Sequence, residues 1–165
     1  MEQEDAKPGR FGDCSEIVIG ACIEVHRHLG PGLLESAYEH AVARELVLRG
    51  LRFDRQRPVH LEYKGEKLDC VYRLDLVVED ALVVEIKCVD QLLPIHRAQL
   101  LTYLRLTGLP TGLLVNFRET ALKNGLRRLS LSRNFPSHRR PAAPPKSGDD
   151  RATGGISLTV DWSHE

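Results

Sequence analysis

Net charge is the first thing this sequence lacks: its 23 Lys and Arg are matched by 23 Asp and Glu. A chain without surplus positive charge does not coat nucleic acid through net charge alone. Balance is still compatible with a site that gathers carboxylates around a cation, because the ion reverses the local sign. Long apolar runs are missing too, so no transmembrane span is expected. The opening stretch MEQEDAKPGR is acidic and has no apolar core. That argues against a secretory signal, and the expected location is cytoplasmic. Cys14, Cys22, Cys70 and Cys88 form no CxxC pair. A zinc knuckle or a cluster site is therefore not indicated, and buried free thiols in a reducing compartment are expected. Aromatic residues make up only 5% of the chain, which leaves no evident binding groove. There is no internal repeat.

What is present suits one domain with a tail. The 165 residues are 42% apolar, enough for a core at this size. Residues 1–12 read as a mobile leader, residues 13–131 as the domain, and residues 132–165 as a mostly disordered tail. In that tail the run Arg139 to Lys146, rich in Pro and Ala, cannot build a core. Ile156 to Trp162 is the one stretch there that suits a docking strand. Asp13 to Glu16 fits a capping box, with Asp13 as N-cap. Ile17, Val18, Ala21, Cys22, Val25 and Leu29 then recur at helical spacing. Gly30-Pro31-Gly32 ends that helix. A second helix starts near Leu33, with Leu34, Ala37, Tyr38, Ala41, Val42 and Leu48 as its apolar stripe, and stops at Gly50.

The period then falls to two. Val59, Leu61 and Tyr63 alternate with polar residues, and Lys64-Gly65 reads as a hairpin turn. Val71 to Val78 and Leu82 to Val89 are apolar enough to be central strands, broken at Glu79-Asp80. Pro94 suits the first turn of another helix, with Ile95, Ala98, Leu101 and Leu104 as its buried face and Gly108 as its end. Gly112 to Phe117 reads as a buried strand and Leu126 to Leu131 as an edge strand. This order predicts an α/β (α+β) domain, a mixed central sheet flanked by helices, with an N-terminal helix pair.

Asp75, Glu85 and Lys87 are the strongest chemical signal. Alternation puts Glu85 and Lys87 on one face of their strand. An acid and a lysine inside an apolar strand are costly unless they line a site; otherwise they are an exposed ion pair, which arises often by chance. A two-residue loop at Glu79-Asp80 would set Asp75 opposite Val84. A three-residue loop or a bulge would set it opposite Glu85, and this second arrangement is expected because a shared cation needs both carboxylates on one face. Mg²⁺ suits such a pair, since it takes oxygen ligands and keeps several waters.

Asp75, nine residues, then Glu85-x-Lys87 on adjacent strands resembles the PD-(D/E)xK nuclease superfamily, although Asp75 follows Leu74 rather than a proline. Gly32 to Tyr38 matches G-x-x-E-x-x-Y, the signature of the bacterial GxxExxY protein family. Gln99 to Tyr103 matches the Q-x-x-x-Y motif of helicase-coupled exonucleases in the same superfamily. The resemblance spans about Asp13 to Leu131. It implies a restriction-endonuclease-like core and a Mg²⁺- or Mn²⁺-dependent nuclease acting on nucleic acid, with DNA the expected substrate. It implies that Asp75, Glu85 and Lys87 are catalytic and that Glu35, Asp75 and Glu85 hold the metal. Gln99, Tyr103 and Tyr38 then contact substrate or support the site.

Several of these residues also have plain readings. Glu35 is then an acid favoured by its helix dipole, Tyr103 an ordinary buried ring, and Tyr38 core. His96 and Arg97 read as a solvated face, and His26 and His28 as helix-end histidines. Arg127, Arg128, Arg133, Arg139 and Arg140 form a basic run whose default is a solvated tail. The alternative function is a non-catalytic module of the same fold that binds nucleic acid or a protein. A homodimer is compatible with both readings.

Overall fold

The computed structural model describes residues 14–131. It holds three helices, α1 (Ser15–Leu29), α2 (Glu35–Leu48) and α3 (Pro94–Thr107), and five strands. The strands are β1 (Phe53–Tyr63), β2 (Glu66–Val78), β3 (Leu82–Lys87), β4 (Thr111–Asn116) and β5 (Leu126–Ser130). They form one sheet in chain order. Only β3 and β4 are parallel, because α3 carries the chain back between them; the other neighbours need only short connections. The expected mixed sheet with an N-terminal helix pair is therefore present.

Helices cover both sheet faces. On one side Val18, Cys22 and Val25 of α1 and Tyr38, Val42 and Leu46 of α2 pack on Leu76, Val84, Ile86 and Val115. On the other, Leu100, Tyr103 and Leu104 of α3 pack on Val77, Val83 and Leu114. This double cover explains why β3 and β4 are almost wholly buried. β1 lies at the sheet edge, where Pro58 costs no interior ladder bond.

The helix faces differ from the expected ones. In α1 the buried stripe is Val18, Ala21, Cys22 and Val25, while Ile17 and Leu29 are exposed. In α2 Leu34, Ala37 and Leu48 are exposed, Ala41 is half-buried, and the buried set is Tyr38, Glu39, Val42, Ala43 and Leu46. In α3 Ile95 and Ala98 face solvent and Leu101 is half-buried, while Leu100, Tyr103 and Leu104 are buried. Each helix turns about 100° per residue, so an apolar residue one step off the true stripe leaves the core. β3 ends at Lys87 rather than Val89, and β1 and β2 start earlier than expected, at Phe53 and Glu66. They pair as one long hairpin whose register, not its apolar content, sets its length. The proposed Asp13 cap, the leader, Arg133, Arg139, Arg140 and the tail strand lie outside the described residues.

Val78 pairs with Leu82, so residues 79–81 form a three-residue loop. Glu79 and Asp80 both have φ of 51°, and Ala81 N–H donates to Val78 O at 3.0 Å. Continued one residue past Leu76↔Val84, this register would set Asp75 level with Glu85.

A second irregularity lies one strand away. Phe53 packs with the α1/α2 side, yet Val59, an even number of residues on, packs with the α3 side. In β2 Leu76 and Leu74 split between the two sides in the same way. Strict alternation forbids both. The register runs unbroken from Arg55↔Leu76 to Arg57↔Leu74, so both strands switch face together, at the level of Gln56 and Asp75. Gln56 has φ of 50°, a left-handed conformation uncommon for a residue with a side chain.

Candidate active site

Glu85 and Lys87 occupy the end of β3 on the face that Val83 shares with α3. Beyond Leu76↔Val84 the paired register of β2 and β3 stops. There the Asp75 carboxylate bridges the strands, its Oδ2 accepting from Ile86 N–H at 2.8 Å. Lys87 Nζ donates to Glu85 Oε1 at 2.7 Å. Glu85 is only 3% exposed, and its Oε2 is the one buried side-chain polar atom without a hydrogen-bond partner among the described residues.

Burial sets the electrostatics. It pushes the Glu85 carboxyl up to about 7, with the charge of Asp75 adding to the rise and Lys87 opposing it. Burial also raises Asp75, against the Ile86 N–H bond and the charge of Lys87. Burial alone would lower the Lys87 ammonium, but its bond to Glu85 and the charges of Glu85, Glu35 and Asp75 outweigh that and shift it up. Lys87 is therefore held as a cation, suited to stabilise negative charge rather than to accept a proton.

Glu35 reaches the site from the first turn of α2. It is exposed, its Oε1 accepts from Cys88 N–H at 3.0 Å, and its charge acts on both Glu85 and Lys87. Tyr38 does not reach open solvent: it is fully buried and stacks on Phe117 at 4.4 Å between ring centroids. Its hydroxyl donates to Gly30 O at 2.5 Å and accepts from Leu33 N–H at 3.2 Å. Tyr38 thus ties the turn that precedes Glu35, a supporting place rather than an exposed one. Gln99 Nε2 donates to the Tyr103 hydroxyl at 2.7 Å. Tyr103 is buried, its ring lies 5.9 Å from that of Tyr72, and the charges of Glu85, Lys87 and Asp75 act on its hydroxyl. The pair therefore borders the carboxylates from the α3 side. His96 serves its own helix, Nδ1 accepting from Leu93 N–H at 3.1 Å. His26 Nε2 bonds Glu119 O at 2.7 Å, so this nitrogen carries the proton.

Three contributors were missed by sequence reasoning. Glu39 is 7% exposed and pairs with Arg55 at 2.8 Å; its place one turn after Glu35 was a readable signal. Gln56 carries no signal in sequence, yet its Nε2 donates to Glu39 Oε2 at 2.7 Å and to Asp75 Oδ1 at 3.4 Å. Asn116 is fully buried and grips the segment after β3, accepting from Val89 N–H at 3.0 Å and donating to Val89 O at 2.7 Å. A polar residue closing an apolar strand was its signal.

A cation fits this donor set. Glu85 Oε2 is a buried acceptor that lacks a donor, which a cation would satisfy. No group of three or more His, Cys, Asp or Glu side chains among the described residues is arranged to enclose a metal. A cation held by so few side chains would take the rest of its coordination sphere from water and substrate oxygens.

A family model described as the PD-(D/E)XK nuclease superfamily matches residues 12–129. The chain belongs to the PD-(D/E)XK nuclease superfamily. No curated protein and no solved structure matches it. Within this superfamily nucleases typically use divalent metal ions and bind nucleic acid, which agrees with the buried acidic pair Asp75 and Glu85. Asp75 and Glu85-x-Lys87 of this PD-(D/E)XK chain fall inside the matched region. No helix among the described residues is long and apolar enough to cross a membrane.

Proposed function

We propose that this protein is a Mg²⁺- or Mn²⁺-dependent nuclease that hydrolyses DNA phosphodiester bonds, and that it belongs to the GxxExxY branch of its superfamily. The observation that carries this reading is the buried, unpartnered Glu85 Oε2 beside Asp75 and Lys87. The branch assignment rests on Gly32, Glu35 and Tyr38, with Tyr38 tying the turn from which Glu35 reaches Cys88.

Asp75 and Glu85 would hold the cation, with Glu35 an additional ligand or the anchor of a coordinated water. A divalent cation there supplies Lewis-acid activation of water and offsets phosphate charge. Lys87 orients the attacking water or binds the negative phosphoryl oxygens, since its ammonium stays charged. Gln99 offers a polar edge to the substrate from α3, held in place by Tyr103. A homodimer would let two such sites address both strands of a duplex.

The test is calorimetric titration of Mg²⁺ and Mn²⁺ into wild type and an Asp75→Ala, Glu85→Ala double variant, with cleavage assays on DNA and RNA. Saturable binding and DNA cleavage, both lost in the double variant, are expected. Cleavage that survives the double substitution would sink the assignment. Nucleic-acid binding without cation uptake or cleavage would instead favour a non-catalytic module.

A further inference from the structure

We infer that Gln56 is a positioning residue of the site: it holds Asp75 through its side-chain amide and keeps a left-handed backbone to do so. The inference rests on the reading of Asp75 as a cation ligand.

Gln56 lies on β1, outside the Asp75 and Glu85-x-Lys87 pattern. Its Nε2 donates to Glu39 Oε2 at 2.7 Å and to Asp75 Oδ1 at 3.4 Å. Carboxylates only accept hydrogen bonds, so the amide nitrogen and not its oxygen must face them. Glu39 is itself anchored, its Oε1 accepting from Arg55 Nε at 2.8 Å. Both Asp75 oxygens are therefore held, Oδ2 by Ile86 N–H and Oδ1 by Gln56. The chain runs Arg55, Glu39, Gln56, Asp75, and it reaches from an edge strand to the cation site.

Backbone strain gives the independent observation. Gln56 has φ of 50° in the interior of a long strand, where glycine would sit without strain. At the same level β1 and β2 exchange faces, Phe53 and Leu76 packing to one side and Val59 and Leu74 to the other. Strain of this kind persists where surrounding structure enforces it, and it concentrates at functional sites. Here the switch sets the Gln56 amide between two carboxylates.

Removing a residue that orients a metal ligand typically weakens metal binding about 10- to 100-fold. Two substitutions separate positioning from folding. Gln56→Met keeps length and strain but loses both donors. Gln56→Gly loses the donors and releases the strain. Mn²⁺ is titrated into each full-length protein, free Mn²⁺ being read by electron paramagnetic resonance, and thermal midpoints are taken without cation. Both variants are expected to bind Mn²⁺ about tenfold more weakly, with Gln56→Gly melting above Gln56→Met. Affinity loss that does not follow stability is what a purely structural residue would not produce. Affinity unchanged in either variant, while Asp75→Ala abolishes binding, overturns the role of Gln56 and leaves the cation site standing. No Mn²⁺ binding by wild type overturns both.

Discussion

Replacing Glu85 by Gln should stabilise the cation-free protein at alkaline pH, although it removes a charge from an ion pair. The carboxyl is 3% exposed, and burial, aided by Asp75, lifts it from the ordinary glutamate value of 4.5 to about 7. The difference is about 2.5, and at about 1.4 kcal/mol for each unit of pKa it amounts to roughly 3 kcal/mol. The influence of Lys87 already lies within that figure, since its bond opposes the rise. A carboxyl whose folded pKa exceeds its unfolded one favours folding while protonated. Its contribution is complete below 4.5 and is lost as pH climbs through about 7. Asp75 adds a smaller loss of the same sign, because its pKa is also raised. Urea unfolding in the presence of a chelator, from about pH 5 to about pH 8.5, measures this directly. Wild type should lose stability across that window. Glu85→Gln should lose much less and exceed wild type at the alkaline end by at least about 1 kcal/mol, the low end allowing for imperfect mimicry of the neutral acid. Parallel curves for the two proteins would refute the argument, because they would mean that Glu85 is not desolvated in the fold.

Tyr38→Phe removes the hydroxyl that joins Gly30 and Leu33 while leaving the stack on Phe117. Urea unfolding should show a cost of about 1–2 kcal/mol, and cation affinity should fall slightly as Glu35 loses its fixed turn. Gly112→Ala should destabilise by about 1–3 kcal/mol in the same assay. Its new Cβ would meet Leu100 Cδ1 at 2.7 Å, and Leu100 is fully buried between α3 and β4.

Much of the site was legible in the chain itself. Strand alternation by itself places Glu85 and Lys87 on one face, and two apolar strands separated by Glu79-Asp80 require a hairpin. Asking the two carboxylates to share a face selects the three-residue loop that the structure has. Gly30-Pro31-Gly32 and Gly108 punctuate helices where the backbone does turn. These features are readable because they depend on local periodicity and on the φ preferences of single residues.

Helix rotation was not readable, since the apolar residues of α3 offer several stripes and only contact with Val83 and Leu114 selects Leu100, Tyr103 and Leu104. The approach of Glu35 to Cys88 N–H joins positions 53 residues apart, a distance that no local pattern encodes. Gln56 is the clearest case. Nothing in its neighbours announces a left-handed residue, and its two carboxylate partners come from a helix and another strand. Which residues could carry the chemistry, and which of them share a strand face, follows from residue type and local periodicity. Tertiary packing alone decided their burial, and so the raised Glu85 pKa and its unpartnered oxygen. The physical reason is that alternation is a property of one strand, whereas desolvation and side-chain support are properties of everything packed around it.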